Sequence, residues 1–261
     1  MPLVFITGAS SGIGQAMALA YLRQGWRVAL VARRKPAMQD WVAKLDGTLN
    51  LQADQVGIFG ADVQDPDSII AAAQACLSEM GLPDVVIANA GISLGVDSAQ
   101  REDIAVMRQV MDTNLLGMVA TFHPFIGPMQ SRGTGRLVGI ASVAGIRGLP
   151  GHAAYCASKA AVIAYCESLR GELRVSGVQV VTLAPGYVAT PLTQRNRYPM
   201  PFLMSADTFA QQALAAIARG AAFRVIPWPM ALVAKLLRLL PTAVFDRLLK
   251  GQPRKHRHTD A

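Results

Sequence analysis

An α/β fold, a single doubly wound parallel sheet with helices on both faces, is what this sequence predicts, and two observations carry it. Apolar runs at Leu3–Ile6, Arg27–Val31, Val56–Gly60, Val85–Ala88, Leu137–Ala141 and Gln179–Ala184 alternate with helix-like segments. Such alternation makes each run a strand of a parallel sheet, buried on both faces by the helices between. The 261-residue chain is long enough for one large core. It carries no repeat, low-complexity segment or Pro/Ser-rich linker to divide it.

The first strand, Leu3–Ile6, runs into Thr7-Gly8-Ala9-Ser10-Ser11-Gly12-Ile13-Gly14 and then a helix-like segment, Gln15–Arg23. Strand, tight glycine turn and helix N-terminus are what a dinucleotide site needs. Gly8 allows the turn, Gly12 lets the backbone approach a pyrophosphate, and Gly14 lets helix and strand pack closely. Amide groups and the helix dipole at that N-terminus stabilise phosphate charge. The spacing, G-x3-G-x-G rather than G-x-G-x-x-G, marks one branch of the Rossmann-type folds.

The second strand ends in Ala32-Arg33-Arg34-Lys35, with no acid until Asp40. An NAD site usually places a carboxylate here for the ribose 2′-hydroxyl, whereas guanidinium groups bind a 2′-phosphate through charge-assisted bonds. NADP(H) is therefore expected over NAD(H), although the glycine turn has Ser11 where a second basic residue would strengthen that preference.

Tyr155 and Lys159 are spaced i, i+4 and share one helix face. A phenol titrates near pH ~10, and an adjacent ammonium is expected to bring it towards the working range. Ser142, at the end of the apolar run Leu137–Ala141, is placed to hydrogen-bond the oxygen whose proton moves.

From Pro2 to about Ala222 these residues together resemble the short-chain dehydrogenase/reductase family. The resemblance implies Ser142, Tyr155 and Lys159 as catalytic residues, with Asn114 holding a helix kink and a water of the proton relay. It implies a cofactor site of Gly8, Ser10, Ser11, Gly12, Ile13, Gly14, Arg33 and Arg34. Asp62 and Val63 would meet the adenine, Asn89, Ala90 and Gly91 the adenosine ribose, and Pro185, Gly186, Val188 and Thr190 the nicotinamide. Tyr155 and Lys159 would also touch the cofactor. Ala88 departs from the asparagine many members carry. Residues 191–205 match a loop over the substrate; the apolar cluster Tyr198–Met204 suits an apolar carbonyl or alcohol, Arg195 and Arg197 could meet an acidic group, and Phe202 and Leu203 could anchor the loop to the core. The implied activity is NADP-dependent hydride transfer in a homodimer or homotetramer. Alternatives are an NAD-dependent alcohol dehydrogenase of the same family and a non-catalytic nucleotide sensor, which typically loses the tyrosine or lysine present here.

The remaining features narrow the class. Cys76, Cys156 and Cys166 have no metal-ligand spacing, and the four histidines form no cluster, so no metal is expected. His152, three residues before Tyr155, could touch substrate, but it reads first as a surface polar residue at a helix start. The net charge is +8, but Arg224 to the end holds eight Lys/Arg and two Asp, a net of +6 that leaves +2 for residues 1–223. That distribution gives no reason to expect nucleic acid. The N-terminus enters the first strand at once, and a cytoplasmic chain without a leader is expected. Residues 223–261 form an apolar, basic extension that Pro241 divides into two short helices. It is expected to cover the cleft, join subunits or lie on a membrane surface.

Overall fold

The computed structural model describes residues 1–194, 196 and 199–251. Nine strands are described: β1 (Leu3–Thr7), β2 (Arg27–Ala32), β3 (Val56–Gly60), β4 (Val85–Ala88), β5 (Gly135–Ile140), β6 (Val178–Pro185), β7 (Val188–Ala189), β8 (Met204–Ser205) and β9 (Phe223–Ile226). Seven form one sheet in the order β3-β2-β1-β4-β5-β6-β9, and every pairing in it is parallel. Alternate residues feed opposite cores: Leu3 and Phe5 pack on one face, Val4 and Ile6 on the other. That two-sided burial explains why the strands read as unbroken apolar runs. The helices on the two faces include α1 (Gly12–Arg23) and α7 (Ala206–Ala218) on one side, and α3 (Pro66–Glu79), α5 (Gly117–Arg132) and α6 (Ala153–Glu172) on the other. Caps fix two of them locally: Asp65 accepts from the Asp67 and Ser68 amides at α3, and Ser205 accepts from the Thr208 amide at α7.

Strand order reverses between β1 and β4. The loops that follow these two strands diverge, and a crevice opens at their carboxyl ends. The seventh strand, β9, lies outside the six apolar runs because Phe223 and Arg224 are exposed and only Val225 and Ile226 are buried. The sheet thus continues past residue 222, where the sequence places the start of an extension. The Gly186 amide donates to the Ile226 carbonyl at 2.7 Å, which ties the turn after β6 to this strand.

Beyond β9 stand α8 (Trp228–Leu239) and α9 (Thr242–Leu249), the two short helices expected on either side of Pro241, bent by 120° relative to each other. Arg147 fastens both to the body. Its guanidinium donates to the carbonyls of Arg238 and Leu240, each at 3.0 Å, and of Leu237, and lies 4.0 Å over the Phe245 ring. No single helix among the described residues is long and apolar enough to cross a membrane.

Candidate active site

The nucleotide end is built by close backbone approach. Gly8 has φ +67, in the left-handed region, and a Cβ at Gly14 would run into the Gly8 carbonyl and lie 2.6 Å from the Asn89 amide nitrogen. Only glycine at both positions allows strand and helix to meet this tightly. Asn89 locks the arrangement, donating from Nδ2 to the carbonyls of Thr7 at 3.0 Å and Gly8 at 3.3 Å. Thr7 Oγ1 in turn accepts from the Asn89 and Ala90 amides at 3.1 and 3.3 Å. Asn89 is thus a fastener between β1 and β4 as well as a wall of the crevice.

That crevice is a cleft of about 480 Å³, and the expected cofactor residues surround it. Gly8, Ser10, Ser11, Gly12 and Ile13 line one end, Arg33, Arg34, Asp62 and Val63 flank it, and Asn89, Ala90 and Gly91 close one side. Ser142, Tyr155, Lys159, Pro185, Gly186, Val188 and Thr190 line the far end. Gly14 and Asn114 stand behind the lining, where they hold it in place. Cleft, glycine cradle and basic rim together fit a dinucleotide. The basic pair is not equivalent. Arg34 reaches across to Ser10 Oγ at 3.1 Å, whereas Arg33 lies 3.6 Å from the Asp62 carboxylate. That acid arrives from the loop after β3, 29 residues beyond Arg33 in sequence, so the run Ala32–Lys35 could not reveal it.

Asn114 lies within a π-helical turn, Asp112–Leu116, inserted between α4 (Asp103–Met111) and α5. Its Nδ2 donates to the Ile92 carbonyl and to Ser158 Oγ, both at 2.9 Å, and its Oδ1 accepts from the Ile92 amide at 2.8 Å. Every polar atom of this buried amide is engaged, and the helical irregularity follows from that grip. Ser142 caps the short 3₁₀ turn Val143–Gly145, accepting from the Ala144 amide at 3.2 Å, and is hydrogen-bonded to Tyr155. Lys159 is buried in the face of α6, where its Nζ donates to the Ile140 carbonyl at 2.8 Å and lies 5.8 Å from the Tyr155 ring centroid.

The titration of this pair corrects one expectation. Burial pushes the Tyr155 phenol above its ordinary value; the Ser142 hydrogen bond acts in the opposite direction but does not overcome it. Lys159, deprived of water, is lowered from 10.5 to about 8. Desolvation dominates for both groups, because each is buried away from water. Tyr155 is a neutral phenol at neutral pH, with a proton to give.

Beyond Tyr155 lies a second cavity, of about 430 Å³. Ser142, Tyr155 and Gly186 border both spaces, so two of the side chains expected to be catalytic stand at their junction. Its walls come from distant segments: Ile146, Leu149 and Pro150 after β5, Leu192, Pro199 and Pro201 from the loop after β7, and Met230, Val233, Ala234 and Leu237 from α8. The extension therefore roofs this cavity. His152 also lines it, buried beside Tyr155, with Nδ1 3.0 Å from the Pro150 carbonyl. The surface placement expected for it is wrong: His152 is buried at a cavity that the Arg147–Leu149 loop and α8 also line. Loop anchoring also differs from expectation: Phe202 and Leu203 are exposed, and the loop is closed by Met204–Ser205 pairing with Val188–Ala189. Arg195, Arg197 and Tyr198 lie outside the described residues. A larger groove of about 1130 Å³ runs between the start of α6 and α9 and contains none of Asn114, Ser142, Tyr155 and Lys159.

Residues 2–200 match the family model described as short chain dehydrogenase. The chain belongs to the short-chain dehydrogenase family. An uncharacterized oxidoreductase of Myxococcus xanthus is 39% identical over 245 residues, 92% of this chain and 93% of that relative. Dehydrogenase/reductase SDR family member 7B of Bos taurus is 32% identical over 271 residues, covering 98% of this chain and 82% of that one. Among solved structures, actinorhodin polyketide ketoreductase with NADPH superposes with a TM-score of 0.77 at 27% identity, over 86% of this chain and 95% of its own. An alcohol dehydrogenase of the archaeon Thermococcus sibiricus, complexed with 5-hydroxy-NADP, gives 0.75 at 25% identity over 87% and 96%. This short-chain dehydrogenase is accordingly an oxidoreductase with an NAD(P)-binding fold.

Proposed function

We propose that this short-chain dehydrogenase transfers hydride between NADP(H) and a carbonyl/alcohol pair on an apolar substrate. One observation carries the reading: Ser142 and Tyr155 form the shared wall between a nucleotide-shaped cleft and an apolar cavity. A bound nicotinamide supplies or accepts the hydride. In the reducing direction, Tyr155 donates its proton to the carbonyl oxygen as Ser142 holds that oxygen by a hydrogen bond. The neutral state of the buried phenol suits it to this role. Lys159 places positive charge beneath the site, and its bond to the Ile140 carbonyl holds it in register. Asn114 keeps α4 and α5 fastened to the loop after β4, which fixes the floor on which Tyr155 sits. Arg34 and Ser10 form the seat for a 2′-phosphate, which favours NADP(H) over NAD(H).

The test is NADPH consumption with a panel of hydrophobic ketones and aldehydes. Tyr155→Phe keeps the ring and removes the acid, so turnover should fall by ~10²–10⁴ while NADPH affinity holds. Near-normal turnover in this variant would reject the assignment.

A further inference from the structure

We infer that the outer face of the α8–α9 pair docks on an anionic lipid surface, with its helices lying in the plane of the interface. The helix α8 is apolar on two opposite faces. Met230, Val233, Ala234 and Leu237 point inward and line the cavity beside Tyr155. Trp228, Leu232, Leu236 and Leu239 form a stripe at helical spacing on the other side and stand 63, 55, 65 and 71% exposed. Val244 and Leu248 continue the apolar surface on α9, also exposed. An apolar face this continuous is not what an isolated chain leaves in water.

Charge selects the occupant. Lys235, Arg238, Arg247 and Lys250 stand exposed on the same two helices and the residue that follows, with Asp246 as their only acid. A two-fold contact with a second copy would press this basic surface against itself, a like-charge juxtaposition that disfavours the pair. Anionic headgroups instead complement the cations while the leucine stripe enters the headgroup–acyl boundary. Geometry excludes spanning: α8 has 12 residues, about 18 Å at 1.5 Å per residue, well short of a ~30 Å hydrocarbon core. The 120° bend before α9 turns the chain aside. Docked in this way, the inner face of α8 would still wall the cavity, and an apolar carbonyl compound dissolved in lipid would lie one helix away from Tyr155. That last step rests on the function proposed above; the docking itself does not.

Flotation of the full chain with vesicles tests it. Phosphatidylcholine mixed with phosphatidylglycerol should bind the protein and release it as salt rises, and phosphatidylcholine alone should bind it weakly. The triple variant Leu232→Ser, Leu236→Ser, Leu239→Ser leaves charge unchanged and touches no cavity residue. Its partition should fall more than about tenfold, with NADPH turnover of a small water-soluble ketone retained as the check on folding. Independently, a lipid carrying a bromine or nitroxide near the headgroup should quench the emission of the intact protein and quench Trp228→Phe less. No binding to the mixed vesicles at low salt, unchanged binding by a folded triple variant, or a concentration-dependent dimer dispersed by that variant would overturn the proposal. Because binding and quenching are read without turnover, failure of the ketone assay alone counts against the proposed function and not against the docking.

Discussion

The nucleotide cleft and the apolar cavity meet at Tyr155, yet they are constructed in opposite ways. The cleft is made of short contiguous motifs at the carboxyl ends of neighbouring strands. Its shape follows from backbone constraints such as the Gly8 conformation and the contact at Gly14. The cavity is made of single side chains from four segments far apart in sequence, and the helix that roofs it begins at Trp228, 38 residues beyond Thr190, the last of the expected nicotinamide residues. Backbone geometry tolerates little substitution, whereas apolar walls accept any side chain of suitable volume. One half of this molecule is therefore specified residue by residue, and the other only by volume and polarity.

Four substitutions sharpen that contrast. On the cleft side, Lys159 is a group retained at a cost in stability. Its folded-state pKa, about 8, is below the unfolded value of 10.5. The penalty for burying the ammonium is therefore fully present below pH 8 and disappears as pH rises to 10.5. Lys159→Met should stabilise the cofactor-free chain by on the order of 1–3 kcal/mol at neutral pH, the upper bound being the full shift and the lower allowing for the lost bond to the Ile140 carbonyl. Denaturation across pH 7 to 10.5 should show the gain shrinking, with turnover nearly abolished throughout. A destabilised variant at neutral pH would mean that the ammonium is better solvated than its burial indicates.

The basic rim should give the next largest effect. Arg34→Ala should weaken NADPH binding about tenfold or more, as loss of a charge-assisted bond worth roughly 1.5–3 kcal/mol requires, and leave NADH almost unaffected. Arg33→Ala should do less, because Asp62 already offsets that charge. Titration of both nucleotides against both variants checks the order; equal losses would place the phosphate between the two guanidinium groups.

The smallest effect belongs to the cavity side. Arg147→Met removes the bonds to the end of α8 and the stacking on Phe245. The KM for bulky apolar carbonyl compounds should rise several-fold, with NADPH affinity unchanged, because the roof loosens and the cleft does not. Equal changes for bulky and small substrates would show that Arg147 serves general stability only.

The same division decides what was legible in the sequence. Six strands, the glycine turn, the Tyr155–Lys159 face and the separation of α8 from α9 at Pro241 are local patterns, and the structure places them together as expected. What escaped depends on neighbours from elsewhere in the chain. His152 sits at a polar-looking helix start and is buried, bordering the cavity that the Arg147–Leu149 loop and α8 also line. Strand β9 is an edge with two exposed residues, so its apolar signal is halved. Asp62 meets Arg33 through tertiary folding alone. The direction of the Tyr155 shift is not legible there, because spacing reveals a neighbouring charge but not the loss of water around both groups.

The central claim is that an apolar substrate occupies the cavity beneath α8 and meets the nucleotide across Tyr155. It is tested most directly by kcat/KM for NADPH-dependent reduction of straight-chain methyl ketones of increasing length, in the unmodified protein and in Ala234→Trp. Ala234 is buried in the cavity wall and touches no part of the nucleotide cleft. The account predicts a rise of about fourfold per added methylene, the equivalent of roughly 0.8 kcal/mol, until the cavity is full. In Ala234→Trp the rise should stop several carbons earlier with NADPH affinity unaltered. A series flat with chain length, or a loss in Ala234→Trp that falls on NADPH binding, would contradict it.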